Sequence, residues 1–110
     1  MLNYKMIKLL RYNEMNVHKI EMYDTKKNIG HIKFYFNFEN NNAHIIELFI
    51  NYKFDIFAKN LLDNTENILK KELNIKKIIV LIGSSLKEKI IQFYLLNKYI
   101  QDGNILYKIL

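Results

Sequence analysis

Three observations predict an α/β domain on a mixed sheet, in the order β-β-β-β-α-β-α-β. The first half of the chain holds short alternating or continuous apolar segments, the residues from Phe57 to Leu73 shift to a three-to-four-residue period, and a continuous apolar run, Lys77 to Ile82, follows directly. A helix between two such runs is how a chain crosses over to a parallel strand. At 110 residues, 50% of them hydrophobic, the chain has room for one domain whose core needs neither disulfide nor metal.

Lys5 to Leu10 is a short apolar run suited to a first strand, and Arg11 to Asn16 is a polar connection. Val17 to Tyr23 alternates apolar and polar residues. After Asp24-Thr25-Lys26-Lys27-Asn28 the chain resumes as Ile29-Gly30-His31-Ile32-Lys33-Phe34-Tyr35-Phe36, which reads as a β-hairpin. The Asn-rich stretch Phe38 to Asn42 makes a second turn. Ala43 to Ile50 is apolar at both parities, the pattern of a strand buried on both faces.

From Asp55 the helical period begins. Phe57, Leu61, Leu62, Ile68, Leu69 and Leu73 mark one face to about Asn74, and Lys59, Asp63, Glu66 and Lys70 the charged one. The run Lys77 to Ile82, bounded by Gly83, is the parallel strand. Ser85-Leu86-Lys87-Glu88 has the form of a capping box, with Ser85 at N-cap and Glu88 at N3, and opens a second helix through Ile90, Phe93 and Tyr94 to about Lys98. Asp102-Gly103-Asn104 turns into a last strand, Ile105 to Leu110. No repeat or linker interrupts the pattern, so residues 1–110 are expected to form a single domain.

Composition excludes several chemistries. Without cysteine there is no disulfide, thiolate zinc site or cysteine nucleophile. The N-terminal segment lacks a signal-peptide pattern and no apolar run approaches about 18 residues, which predicts a cytoplasmic protein without a membrane segment. His18, His31 and His44 fall on separate strands without ligand spacing, so neither a metal site nor a histidine triad is expected. The net charge of +6 suits a phosphate-rich partner. It is also what AT-rich codons produce in a chain crowded with Lys, Asn, Ile and Tyr. Lys70, Lys71, Lys76, Lys77, Lys87 and Lys89 are not interleaved with exposed aromatics, as nucleic-acid platforms are, and read as a solvated face.

The element order and four local patterns resemble the GNAT superfamily of N-acetyltransferases, in a minimal form without the two helices most members carry between their first two strands. Ile29-Gly30-His31-Ile32 resembles the family's strand opening. Ile46-Glu47-Leu48-Phe49-Ile50 resembles its central strand, and Tyr52 to Leu61 lies where the family places a pyrophosphate loop. Phe93-Tyr94-Leu95-Leu96-Asn97-Lys98-Tyr99 resembles the aromatic-Tyr-x-x-x-Gly-Phe segment, with Lys98 for the Gly and Tyr99 for the Phe. The resemblance implies a GNAT-like mixed sheet split between the Ala43–Ile50 and Lys77–Ile82 strands. It also implies acetyl-CoA in the gap as co-substrate, and acyl transfer to an amine of a small molecule or a protein.

The resemblance assigns roles residue by residue. Leu48, Phe49 and Ile50 present backbone groups to the pantetheine arm, and an N–H of Phe49 or Ile50 holds the oxyanion. Lys53, Phe54, Asp55, Ile56, Phe57, Ala58 and Lys59 surround the pyrophosphate, and Gly83, Ser84 and Ser85 line the opposite side. Glu47 is the base and Tyr94 the acid that protonates the departing thiolate. The family's loop uses glycines so that free N–H groups can close on phosphate. Here Ile56 stands at the first glycine, and its β-branched side chain resists positive φ. Asp55 is expected to cap the helix, occupying amides and dipole that a phosphate would use.

Each role has a plainer alternative: Tyr94 as a core aromatic, Glu47 paired with a neighbouring lysine, Ser85 as a cap. The altered loop therefore opens a second reading, a catalytically inactive GNAT-like module whose Phe54, Ile56 and Phe57 contact a protein partner, with a homodimer among the assemblies such a domain can form. A basic nucleic-acid binder on the same scaffold ranks last.

Overall fold

Alternating side chains set the first four strands. The computed structural model describes residues 2–12, 15–37, 39–84 and 86–110. The strands are β1 (Leu2–Tyr12), β2 (Met15–Asp24), β3 (Lys27–Asn37) and β4 (Asn42–Ile50), each antiparallel to the one before. On β3, Ile32, Phe34 and Phe36 are buried while His31, Lys33 and Tyr35 are not, the period of two seen in the sequence. β1 is longer than its apolar run and extends into the expected polar connection. Phe38 of the second expected turn lies outside the described residues.

A 3₁₀ helix (Tyr52–Phe57) follows, then α1 (Ala58–Lys71), β5 (Lys77–Leu81), α2 (Glu88–Leu96), β6 (Ile100–Asp102) and β7 (Ile105–Ile109). The sheet order is β1-β2-β3-β4-β5-β7-β6. β5 runs parallel to β4, as the crossover predicted. β6 is an addition to the expected order: three exposed residues carry no periodicity to read.

Three local expectations are corrected. The helix does not begin at Asp55, because Tyr52–Phe57 winds as a 3₁₀ segment capped by Asn51, whose Oδ1 accepts from the Lys53 N–H at 3.2 Å. Glu66 does not belong to a solvated charged face. It is buried, accepting from the Tyr99 hydroxyl and from Lys108 Nζ, both at 2.8 Å; a buried acid persists where its oxygens are satisfied. In α2, Lys87 is the N-cap and Glu88 therefore the first helical residue, not N3 of a capping box. Ser85 lies outside the described residues.

Both helices cover one face of the sheet. Leu61, Leu62 and Leu69 of α1 and Ile91 and Tyr94 of α2 join Phe34, Ile78 and Leu106 of the strands in one cluster. Among the described residues no helix covers the other face. β4 departs from the expected burial on both faces: Ala43 and Ile45 are buried, but Ile46 is 55% and Phe49 51% exposed. Its pairing with β5 runs only from Asn42↔Lys77 to Ile45↔Val80. At Ile46 the register with β3 shifts, Phe34 facing Ile45 and Lys33 facing Glu47. An extra residue of this kind bends a strand and increases its twist. Beyond it β4 parts from β5, so the split lies between the two strands expected to flank it.

Candidate functional site

The parting of the strands leaves one edge of β4 unpaired. The Asn51 N–H donates to the Ile29 carbonyl at 2.8 Å, and Gly30 lies directly opposite Ile50. In an antiparallel ladder, residues so placed turn their own N–H and C=O away from the partner strand. Ile50, and Leu48 two residues before it, therefore present free donors and acceptors to the edge that β5 has left. Gly30 makes the close approach possible: a Cβ there would lie 2.7 Å from the Phe49 carbonyl oxygen and 3.3 Å from the Ile50 Cα.

A cleft of about 500 Å³ opens along this edge. Its walls are Leu48, Phe49 and Ile50 of β4, then Asp55, Ile56, Ala58 and Lys59 around the start of α1, then Lys87, Lys89, Ile90 and Phe93 at the start of α2. The first seven of these come from the residues singled out in the sequence. The other four suggested binding residues are not among the walls. Phe54 stacks on Phe57 with 6.4 Å between ring centres, Lys53 Nζ sits 6.0 Å from the Tyr52 ring centre, and Ser84 is exposed after β5. Sequence reasoning missed Lys87, Lys89, Ile90 and Phe93. The signal for them is architectural: two helices on one face that both begin where the strands separate.

The loop differs from an open phosphate cradle. Lys53 N–H is taken by Asn51 Oδ1, Phe54 N–H by the Asn51 carbonyl at 2.7 Å, and Ala58 N–H by the Asp55 carbonyl. The expected capping role of Asp55 is corrected as well. The N-cap of α1 is Phe57, and among the described residues no side chain makes a cap hydrogen bond to that helix; the Asp55 carboxylate lies instead 3.9 Å from Lys89 Nζ. Asp55 therefore does not cap α1, although its carboxylate remains in the cleft wall beside the helix start. Lys59, Lys87 and Lys89 against Asp55 give the walls a net charge of 3 − 1 = +2, although the Lys59 ammonium is paired with Asp63 at 2.7 Å. The rest of the lining is apolar.

Glu47 stands on the helix-free face, half-exposed, and is not part of the cleft wall. Its carboxylate accepts from His31 Nε2, and Lys33 Nζ lies 3.8 Å away. The His31 hydrogen bond is the main influence holding its pKa below the ordinary carboxylate value, with Lys33 assisting against a smaller opposing effect of burial. His31 in turn stacks on Phe49 at 5.4 Å. Tyr94 is 1% exposed. Burial pushes its phenol pKa well up, and the charge of Glu66 adds to this. Its ring packs edge-on against Tyr99 at 5.0 Å, while the adjacent Phe93 faces the cleft. No group of three or more metal-ligating side chains occurs among the described residues.

No protein-family model matches the sequence, and no curated protein matches it. Solved structures do resemble it. The PaiA N-acetyltransferase of Thermoplasma acidophilum, in complex with coenzyme A, superposes with a TM-score of 0.70 at 22% identity, over 86% of this chain and 61% of that one. A spermidine N-acetyltransferase, SpeG, of Vibrio cholerae gives 0.75 at 16% identity, over 84% of this chain and 64% of that one. A probable acetyltransferase of Staphylococcus epidermidis gives 0.69 at 14% identity, over 84% of this chain and 67% of that one. The fold of this chain is therefore GNAT-like, and the chain spans less than two thirds of the length of the first two structures.

Proposed function

We propose that this chain binds an acyl-CoA in the cleft between β4 and β5 and transfers its acyl group to an amine. The observation that carries the reading is the cleft itself: a strand edge with free peptide groups, an uncapped helix start and three lysines converge on one apolar trough. Peptide groups at Leu48 and Ile50 suit the amides of a pantetheine arm, and the lysines suit its phosphates. Charge here takes over from loop amides, which the 3₁₀ segment uses internally. The resemblance to structures of N-acetyltransferases, one with coenzyme A bound, supports the same ligand.

In this reading the amine nitrogen attacks the thioester carbonyl, a C–N bond forms and the C–S bond breaks. The Ile50 N–H, pointing into the gap, is the donor for the oxyanion. Glu47, linked to His31 beside Phe49, takes the proton from nitrogen, and Tyr94 supplies one to the thiolate. Burial raises the phenol's pKa, which keeps Tyr94 protonated but weakens it as a proton donor. The buried position of Tyr94 and the hydrogen-bonded state of Glu47 favour a second reading, in which the domain holds the ligand or a protein partner without turnover.

Calorimetric titration with acetyl-CoA at low salt, with an Asp55→Gly/Ile56→Gly variant alongside, separates the readings. The parent is expected to bind, with affinity falling as salt rises. Replacing Lys87 and Lys89 by alanine together should weaken binding by roughly fivefold, about 1 kcal/mol, and flatten the salt dependence. Thiol release in the presence of amines then reports turnover. Binding by the glycine variant alone would leave the parent a non-catalytic module, and no binding by either would sink both coenzyme readings.

A further inference from the structure

We propose that the helix-free face of β5, β7 and β6 is a contact between two copies of this chain. Buried side chains of these strands, Ile78, Val80 and Leu106, point to the helices. The register brings the alternate residues together on the other side. Ile79 pairs with Tyr107 and Tyr107 with Ile100, while Leu81 pairs with Ile105 and Ile109 lies one pair further along. Six large apolar side chains thus share three adjacent strands. Leu81, Ile100 and Ile109 are 63%, 54% and 65% exposed, against which no element of the described chain packs. Soluble monomers rarely leave such side chains contiguous, and a patch of this kind marks an interaction site.

The charges at its rim select the occupant. The chain carries +6, yet this patch is neutral, with Lys77 at one corner and Asp102 at the corner diagonally opposite. Lys77 Nζ lies 4.8 Å from the Tyr107 ring centre and so leans over the patch. A two-fold axis along the other diagonal sets Tyr107 and Leu81 against their own copies. It also brings Ile109 over Ile100 and each Lys77 over an Asp102 of the second copy. The strands of the two sheets then cross at a steep angle, one of the two stable ways for sheet faces to pack. A self-complementary surface is what a two-fold interface requires. An acidic or basic partner would leave one of the two rim charges opposed by its own sign. The contact is small, so association in the micromolar range is expected. The patch shares no residue with the walls of the cleft, and the proposal does not depend on acyl-CoA binding.

Sedimentation velocity of the intact chain over about 5–200 μM tests this, a range chosen for a weak interface. The expected result is a concentration-dependent shift from the 13.3 kDa chain toward twice that mass. Leu81→Lys, which places two ammoniums together at the axis, should weaken association tenfold or more, on the order of a hot-spot loss. Lys77→Asp alone should do likewise, and Lys77→Asp with Asp102→Lys should restore it. Leu96→Lys, on an 82% exposed residue at the end of α2, should leave the dimer intact. Circular dichroism confirms that each variant is folded. A wild-type chain that stays monomeric throughout overturns the proposal, as does a dimer indifferent to Leu81→Lys. A charge swap that fails to restore association overturns the two-fold arrangement.

Discussion

The two ends of the helix layer are built on opposite terms. Where α1 and α2 begin, the walls are partly exposed, Asp55 and Lys89 pair across the gap at 3.9 Å, and Ile56 is 81% exposed. Toward their far ends, Glu66 of α1 is joined to Tyr99, just past α2, and to Lys108 of β7, and the Lys108 ammonium also donates to the Asn97 carbonyl at 3.2 Å. One polar cluster there fastens α1, the end of α2 and the last strand. A cleft that admits a ligand cannot be held by packing across it, so the rigidity that keeps its walls in place has to come from elsewhere in the layer.

The largest effect is expected at the fastened end. Glu66→Ala removes the acceptor of two hydrogen bonds and leaves Lys108 partly buried without its counter-charge. The loss should be about 3 kcal/mol, at the low end for broken buried pairs because Lys108 keeps some solvent contact. That corresponds to a fall in Tm of roughly 15 °C for a chain of this size. Tyr99→Phe deletes one hydrogen bond and keeps the ion pair, so about 1 kcal/mol is expected. If neither change moves the melting curve, the contrast between the ends is wrong.

At the open end the matching change is Gly30→Ala. Its methyl group would meet the Phe49 carbonyl oxygen at 2.7 Å, so the free half of β4 must shift. Overpacking of this kind costs about 2 kcal/mol. The sharper readout is binding. Gly30→Ala should abolish the acetyl-CoA heat in protein that circular dichroism shows to be folded, whereas Tyr99→Phe should leave it nearly unchanged. Equal damage from both would mean that the two ends do not act separately.

The legibility of the chain follows the same division. Strand alternation, the helical period and the parallel crossover rest on side-chain burial and could be read directly. The split could be read only through the resemblance to GNAT proteins, because an apolar strand looks the same whether its edge is paired or open. Ala43 to Ile50 carries apolar residues at both parities, broken by His44 and Glu47, yet only its first part is covered. Glu66 looked solvated because its partners, Tyr99 and Lys108, lie 33 and 42 residues away. Asp55 looked like a cap because helix starts favour such residues, but Asn51 had already begun a 3₁₀ turn that carries the helix start to Ala58. β6 and the lysines of α2 depend on tertiary placement, which no local pattern encodes.

The smallest expected effect has the opposite sign and comes from a substitution that the sequence did expose. Lys98 stands where the resembled segment has glycine. The Tyr99 N–H donates to the Tyr94 carbonyl at 3.0 Å and the Lys98 N–H to the Leu95 carbonyl at 3.2 Å, the paired bonds that close a helix with a left-handed residue after its cap. Lys98 accordingly has φ 72°, a region where a Cβ crowds the following carbonyl. Glycine there removes that strain but gains freedom in the unfolded chain, so Lys98→Gly should stabilise the protein by only about 1 kcal/mol. Thermal denaturation with Lys98→Ala as control decides it, since alanine removes the charge while keeping the Cβ. Equal stabilisation by both would trace the effect to the ammonium among its neighbouring lysines. Stabilisation by glycine alone would show that the fastened end holds α2 in place despite a strained cap.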